Sequence, residues 1–310
     1  MPRPVDTAIY DTPPFLLPEV PEPFSSRVEV DLAALTHQGL VRSGNEDSYI
    51  IYRTSRMWER LHTSLSNDHL PRRFEENAYL LAVADGMGGH QAGEVASQLA
   101  IRTGVALVLN AAQWAMKLDH PEARESEIEE AVARGSDYFR RIHQALADQS
   151  MADPALSRMG TTLTVSYSVG DDLFVLHVGD SRAYLYRSDM LDQITRDHTV
   201  VQTLVDAGTI TPEQAQGHRL RHVLTRVLGG GAREAHAEVS HRQLMDGDCL
   251  LVCSDGLTSM VPDTEIAAIL RLQLSAERTC QTLIDAALAA GGRDNVTVAL
   301  GRYRIPRRGS

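Results

Sequence analysis

Apolar residues along this chain fall into two periodicities. Short runs of aliphatic and β-branched residues at 28–35, 48–52 and 78–84 predict strands. Two longer segments follow. The first, 93–117, is apolar on much of its surface and is predicted as a buried helix. The second, 122–149, carries Ile128, Val132, Phe139, Ile142 and Leu146 on one helical stripe, with Gly135 interrupting it. Strands resume at 161–169, 173–178 and 183–187, separated by turns at Gly170-Asp171-Asp172 and Gly179-Asp180-Ser181. The stretch 197–231 reads as helical but loose and ends in Gly229-Gly230-Gly231. Strands at 249–253 and 296–301 bracket helices at 264–272 and 275–290, the latter closed by Gly291-Gly292. The order strands, helices, strands, helices, strand predicts an α+β fold with antiparallel sheets, not alternating βαβ units.

Two segments break the pattern. Residues 1–26 hold seven of the chain's 13 prolines and read as a flexible, extended arm. A docking strap, for a partner or for the protein's own body, is the alternative reading. Residues 53–77 are polar, contain Trp58 and Pro71, and are long for a connection between strands, so they read as an insertion. The globular domain is placed at 27–304, with a short tail at 305–310.

Composition narrows the function. Of 310 residues, 43% are apolar and 23% charged, enough for a sizeable core. Asp and Glu number 41 against 30 Lys and Arg, a net charge of -11, which excludes a nucleic-acid-binding surface and suits cations or basic partners. The single lysine, Lys117, follows Met116, which excludes a P-loop and a kinase-type strand lysine. Cys249, Cys253 and Cys280 are odd in number and form no C-x-x-C, so a reduced, cytoplasmic protein is expected. No signal peptide is visible. The longest uncharged apolar stretch, 103–116, is too short and too polar to span a bilayer.

The candidate chemistry lies at strand ends. Asp85, Asp180 and Asp255 each follow an apolar strand, Asp294 precedes one, and Glu46-Asp47 precede another. An Asp-Gly pair alone is usually a turn. Recurrence at five strand ends is different, because converging carboxylates cannot all stay ionised and unpaired. Either some protonate or hard cations bind among them, and an all-oxygen set selects Mg²⁺ or Mn²⁺. Two such ions sharing a carboxylate could deprotonate a water for phosphoester hydrolysis. Arg42, four residues before Glu46, could bind phosphate through two hydrogen bonds, although an arginine beside acids is more often a salt bridge.

These residues are embedded in eight pieces in order: Gly39-Leu40-Val41-Arg42-Ser43-Gly44-Asn45-Glu46-Asp47, Val83-Ala84-Asp85-Gly86-Met87-Gly88-Gly89-His90, Met159-Gly160-Thr161-Thr162, His177-Val178-Gly179-Asp180-Ser181-Arg182, Asp197-His198-Thr199, Leu224-Thr225-Arg226-Val227-Leu228-Gly229, Cys253-Ser254-Asp255-Gly256-Leu257 and Gly292-Arg293-Asp294-Asn295-Val296-Thr297. The sequence resembles the bacterial branch of the PP2C-type (PPM) metal-dependent Ser/Thr protein phosphatases. The resemblance implies an α-β-β-α sandwich of two antiparallel sheets flanked by helices, with metals in a cleft at one end. It implies that Asp85 bridges two Mn²⁺ or Mg²⁺ ions, that the Gly86 carbonyl binds the second, and that Asp255 and Asp294 bind the first. Glu46 and Asp47 would hold metal-bound waters, Asp180 with Asp255 a weaker third ion, Arg42 the phosphate, and Asn295 would orient Asp294. Residues 197–231 match a flap near the cleft. The implied reaction is in-line attack of a metal-bridging hydroxide on phosphoserine or phosphothreonine, without a phosphoenzyme. The implied partners are phosphorylated proteins, a Ser/Thr kinase and its targets, and a monomer is expected.

One position departs from animal members, which carry a histidine after the first Asp-Gly. Here it is Met87, which leaves the proton donor to the leaving group open. A metal-bound water is the expectation, and His90 reads as structural. A cysteine-phosphatase signature is absent. Asp246-Gly247-Asp248 imitates an aspartate-nucleophile motif but precedes its strand and reads as a turn. His218 and His222 are spaced for a helical metal site, yet beside Arg219 and Arg221 they read as surface residues. The rival readings are a pseudophosphatase, which the intact carboxylate set argues against, and an anti-sigma-antagonist phosphatase, which Arg42 and Asp180 argue against.

Overall fold

A computed structural model describes residues 24–64, 71–111, 118, 122–231 and 236–307. Its strands and helices are, in order, β1 (Glu29–His37), β2 (Asp47–Glu59), β3 (Arg73–Met87), α1 (His90–Leu109), α2 (Arg124–Ala152), β4 (Gly160–Thr161), β5 (Leu163–Val169), β6 (Asp172–Val178), β7 (Arg182–Arg187), β8 (Met190–Gln193), α3 (Val200–Asp206), α4 (Pro212–Gln216), β9 (Leu228–Gly229), β10 (Glu238–Gln243), β11 (Cys249–Cys253), α5 (Asp255–Thr258), α6 (Asp263–Arg271), α7 (Ala276–Ala289) and β12 (Val296–Arg304). One sheet has five strands in the order β1-β12-β11-β7-β8. The other has seven, β10-β6-β5-β3-β4-β9 with β2 paired to β3. Every pairing is antiparallel.

The two sheets stack face to face, with α1 and α2 outside one and α6 and α7 outside the other, so the expected α-β-β-α sandwich is what forms. β11 shows why. Its continuous apolar run is needed because both faces are covered. Leu250 and Val252 pack between the sheets, while Cys249, Leu251 and Cys253 pack under the outer helices. Each fully buried leucine contributes about 1.5–3 kcal/mol. β6 divides likewise, with Leu173 and Val175 inward and Phe174, Leu176 and Val178 toward α1 and α2.

Several boundaries shift, each for a physical reason. Residues 53–59 and 73–77, inside the segment read as an insertion, continue β2 and β3 as one hairpin, paired from Asp47↔Asp85 to Glu59↔Arg73. Their polar side chains lie beyond the edge of the packed sheet, so no apolar alternation marks them. The last arm residues also pack: Phe24 and Ser25 are buried in a short 3-10 turn, Phe24 against the core between the sheets. At the other end, Ile305 is buried in that same core and its backbone N–H donates to Asp246 Oδ1 (3.0 Å). β8 and β10 were not anticipated. Both are sheet-edge strands with polar, half-exposed faces. α1 ends at Leu109, and residues 112–117 of its expected extent lie outside the described residues. It is buried on one face only. By length and composition Gln91–Leu109 could cross a membrane, but in this fold it lies on the seven-stranded sheet. α2 runs unbroken through Gly135, where the missing side chain leaves room for Leu176.

His177, in β6, is buried with Nδ1 hydrogen-bonded to Thr164 Oγ1 (2.8 Å) and its ring stacked on His198 at 4.8 Å. Burial, with His198 next, pushes its pKa down from 6.5 to about 3. Between those values the unfolded chain binds a proton that the folded one refuses. Stability is therefore complete above pH 6.5 and falls on acidification, by up to about 1.4 kcal/mol per pH unit from this group. We expect His177→Gln to flatten the decline of melting temperature between pH 6.5 and 5. Parallel declines for variant and wild type would refute this.

Candidate active site

Both sheets end in acid on the same edge of the sandwich. Asp47 opens β2 and stands directly opposite Asp85 near the end of β3. Asp180 follows β6. From the other sheet, Asp255 follows β11 as the first residue of α5, and Asp294 precedes β12. Their electrostatics report convergence. Loss of hydration, then the charges of Asp47, Asp255, Asp180 and Asp294, push the Asp85 carboxyl well above its ordinary range. Burial and then Asp255 raise Asp180 in the same way.

Asp47 is buried, with Oδ2 accepting from Ser254 Oγ (2.8 Å), just past β11, and from Thr297 Oγ1 (2.7 Å) in β12 of the opposite sheet. Its Oδ1 is buried with no hydrogen-bond partner. Burial is the first cause lifting this carboxyl from 3.8 to about 7, against the two hydroxyl donors. Its proton is therefore held in the folded, metal-free state up to about pH 7, and the stability it contributes is lost as pH rises through that value. A cation at this edge does the same work as that proton, which is the chemical case for a hard-metal site here.

The surrounding backbone is held tightly. A Cβ on Gly86 would collide with the carbonyl oxygens of Gly93 and Glu46, so only glycine lets the first turn of α1 close on this corner. The Gly86 N–H donates to Glu46 O (3.2 Å). The Asp85 N–H donates to Thr162 Oγ1 (3.0 Å), and Asp85 O accepts from Thr161 Oγ1 (2.8 Å). Asn295 ties the rim together. Its Nδ2 donates to Gln38 O and Gly44 O (both 2.8 Å), its Oδ1 accepts from the Glu46 N–H (2.8 Å), and its own N–H donates to Asp294 Oδ1 (2.9 Å). It thus holds the whole 38–46 loop as well as Asp294.

Arg42 Nη2 donates to Asp294 Oδ2 at 2.6 Å, the salt bridge that the sequence alone made the commoner reading. Both side chains are substantially exposed (52% and 36%), so the pair is worth about 0–1 kcal/mol and exchanges readily for another anion or cation. Met87 is exposed beside the site at 39%. The side chain of His90 lies outside the described residues. Among the described residues no three acid, imidazole or thiol side chains close into a ready cage.

Two site neighbours were missed. His222, read as a surface residue, places Nδ1 3.5 Å from Asp255 Oδ2. No periodicity could reveal this, because the flap brings it there. Arg182 grips Asp197 with two hydrogen bonds (2.8 and 2.7 Å) and Tyr184 OH with a third (2.8 Å). With the buried His198 and Thr199, this anchors the base of the flap. The rest of the flap, α3 and α4 joined by turns, is mostly exposed. Asp246-Gly247-Asp248 is a turn as expected. Asp248 is buried and closed by Arg187 (2.7 and 2.6 Å).

Comparison with known proteins points to one family. The family model described as protein phosphatase 2C matches residues 62–290. The chain is 40% identical over 268 residues, 86% of its length, to the serine/threonine protein phosphatase PstP of Mycobacterium tuberculosis, and that match spans 44% of the relative's length. It is 34% identical over 236 residues to the serine/threonine phosphatase stp of Listeria monocytogenes, covering 76% of this chain and 88% of that one. Among solved structures, M. tuberculosis PstP superposes with a TM-score of 0.70 at 38% identity, covering 88% of this chain and 98% of that one. The PstP catalytic domain in complex with two manganese ions superposes at 0.68 and 36% identity, covering 89% and 99%. The family model spans six of the eight ordered motifs, with Asp85, Asp180 and Asp255 among them, and the chain belongs to the protein phosphatase 2C family.

Proposed function

We propose that this protein is a metal-dependent phosphatase of phosphoserine and phosphothreonine in proteins, acting as the counterpart of a Ser/Thr kinase. The observation that carries this reading is the convergence of Asp47, Asp85, Asp180, Asp255 and Asp294 on one edge, with Arg42 at its rim. Asp85, the Gly86 carbonyl, Asp255 and Asp294 would hold two Mn²⁺ or Mg²⁺ ions, with Glu46 and Asp47 supporting them through water. Asp180 with Asp255 would hold a weaker third. When bound, these ions supply the Lewis acidity that activates water and offsets charge on the phosphoryl group. The cysteine and Asp248 nucleophiles are withdrawn: all three cysteines are buried, their thiols pushed up to about 12 by burial, and Asp248 is locked to Arg187. That favours direct attack by water over a phosphoenzyme. The same reduced thiols favour a cytoplasmic location. Arg42 would leave Asp294 to bind the substrate phosphate through its planar fork.

The test is turnover of a phosphothreonine peptide with Mn²⁺ and with chelator. Metal-dependent release of phosphate supports the reading. Calorimetric Mn²⁺ binding without turnover would make the chain a pseudophosphatase. Arg42→Lys keeps the charge and loses the fork. We expect kcat/KM to fall about 10–100-fold while the melting temperature moves by less than about 2 °C, since the exposed ion pair contributes little. An unchanged kcat/KM would remove Arg42 from the phosphate site.

A further inference from the structure

Beneath α1 and α2, on the outer face of the seven-stranded sheet, lies a cavity of about 540 Å³. Tyr52, Leu80 and Tyr167 line its sheet side, and Val108, Leu109 and Tyr138 its helix side. It runs along β3 and β5 from Ala82 and Leu163, on the side of the acidic edge, to Thr54 and Tyr167, on the side of the Gly170 turn. A largely apolar space of this size forfeits dispersion contacts along its walls, and Leu109 at its rim is 78% exposed. The C-terminal half of α1 is apolar yet only partly covered.

We propose that this cavity is the docking site of the chain's own N-terminal arm, with Phe15-Leu16-Leu17 as the inserted segment. Three observations select that occupant. First, the arm joins the described chain at the cavity's end of the sheet, with Phe24 on the inner face and the cavity on the outer one. Phe24 is anchored next to Gly170, where a Cβ would lie 3.4 Å from the Phe24 ring, and Tyr167 is three residues back along β5. Second, the reach matches. Residues 15–17 precede Phe24 by seven to nine positions, about 22–28 Å of polyproline-type chain. The cavity walls at Tyr167 and Leu163 lie about 10–23 Å from Gly170 along β5. Third, the charges complement. Residues 1–23 contain Asp6, Asp11, Glu19 and Glu22 against Arg3, while Arg53 and Arg134 border the cavity, Arg53 being exposed and Arg134 within 3.8 Å of Glu130. Proline fixes φ, so the seven prolines of residues 1–26 lower the entropy lost on docking. Tethering gives an effective concentration of millimolar order, so a weak intrinsic contact fills the site.

Hydrogen exchange of the full chain tests this against the variant Phe15→Asp/Leu16→Asp/Leu17→Asp, which changes none of the described core residues. Amides of residues 104–109 and 50–54 are expected to exchange at least about tenfold faster in the variant. A second measurement uses the cysteine pair Leu16→Cys/Leu109→Cys under mild oxidant, with Leu16→Cys/Met190→Cys as control, Met190 being exposed on the other sheet's edge. The three native thiols are buried and do not compete. The first pair is expected to form an intramolecular disulfide at least about tenfold faster than the control. Unchanged exchange, equal rates, or links only between chains would overturn the proposal. Those outcomes would assign the cavity to a free apolar ligand, to a second copy, or to residues 112–117.

Discussion

Asp85→Asn is expected to lower hydrolysis of a phosphothreonine peptide by at least about 10²-fold in saturating Mn²⁺, and also to raise the melting temperature in chelator. Both effects have one cause. Asp85 is the carboxyl most crowded by its fellows, with burial and four other aspartates opposing its ionisation. An amide keeps the shape and removes one negative charge, so the metal-free fold is relieved of repulsion by about 1 kcal/mol, or about 2–4 °C. The sign with pH is fixed. A carboxyl whose folded pKa is raised contributes stability that is lost as pH rises, so the variant's advantage in chelator should be larger at pH 8 than at pH 5. Adding Mn²⁺ should reverse the order, because wild type gains binding free energy that the variant cannot. Activity within tenfold of wild type, or a variant less stable than wild type in chelator at pH 8, would remove Asp85 from the centre of a cation site.

The second large effect is structural. Gly256, buried in α5 right after Asp255, faces the start of β12, and a Cβ there would collide with the carbonyl oxygen of Asn295. Gly256→Ala must force apart the two segments that carry Asp255 and Asp294. We expect a loss of about 3 kcal/mol, or about 6–12 °C in melting temperature, since overpacking against backbone has no soft side chain to yield. Mn²⁺ affinity should fall as well, measured by calorimetry well below the new melting temperature. A variant that melts within about 2 °C of wild type would show that the strands can separate at little cost.

The same pair of residues shows what could be read in the sequence. Asp255-Gly256 stands at the end of Leu250-Leu251-Val252-Cys253, and that run, bounded by turn residues, was sufficient to locate the strand, the acid and the tight corner. β11 falls where expected to the residue because it is covered on both faces and must be apolar throughout. Where one face meets solvent the signal fades. β10, with Glu238, His241 and Arg242, is a sheet edge and was not seen. The polar outer halves of β2 and β3 looked like an insertion because local composition does not show that Arg53 pairs with Tyr79 or Trp58 with Phe74. His222 was read as surface, and half its side chain is exposed. Its approach to Asp255 depends on a turn of the flap that has no sequence period.

Local chemistry along the chain determined the candidate residues: strand periodicity located them at strand ends, and the oxygen-only donor set selected the class of metal. Burial across both sheets determined the sandwich. Only the tertiary structure decided what those residues face. It set Asp47 opposite Asp85 through the register, gave Asp47 its donors from Ser254 and Thr297 on the other sheet, and paired Arg42 with Asp294, 252 residues away. It also left an apolar hollow beneath α1 that no helical stripe foretold. The physical reason is common to all of these. Hydrophobic periodicity is set by which side of an element is dry, and each element records that alone. Pairwise distances, charge crowding and unfilled volume belong to how separate elements meet, so they arise only when the sheets close on one another.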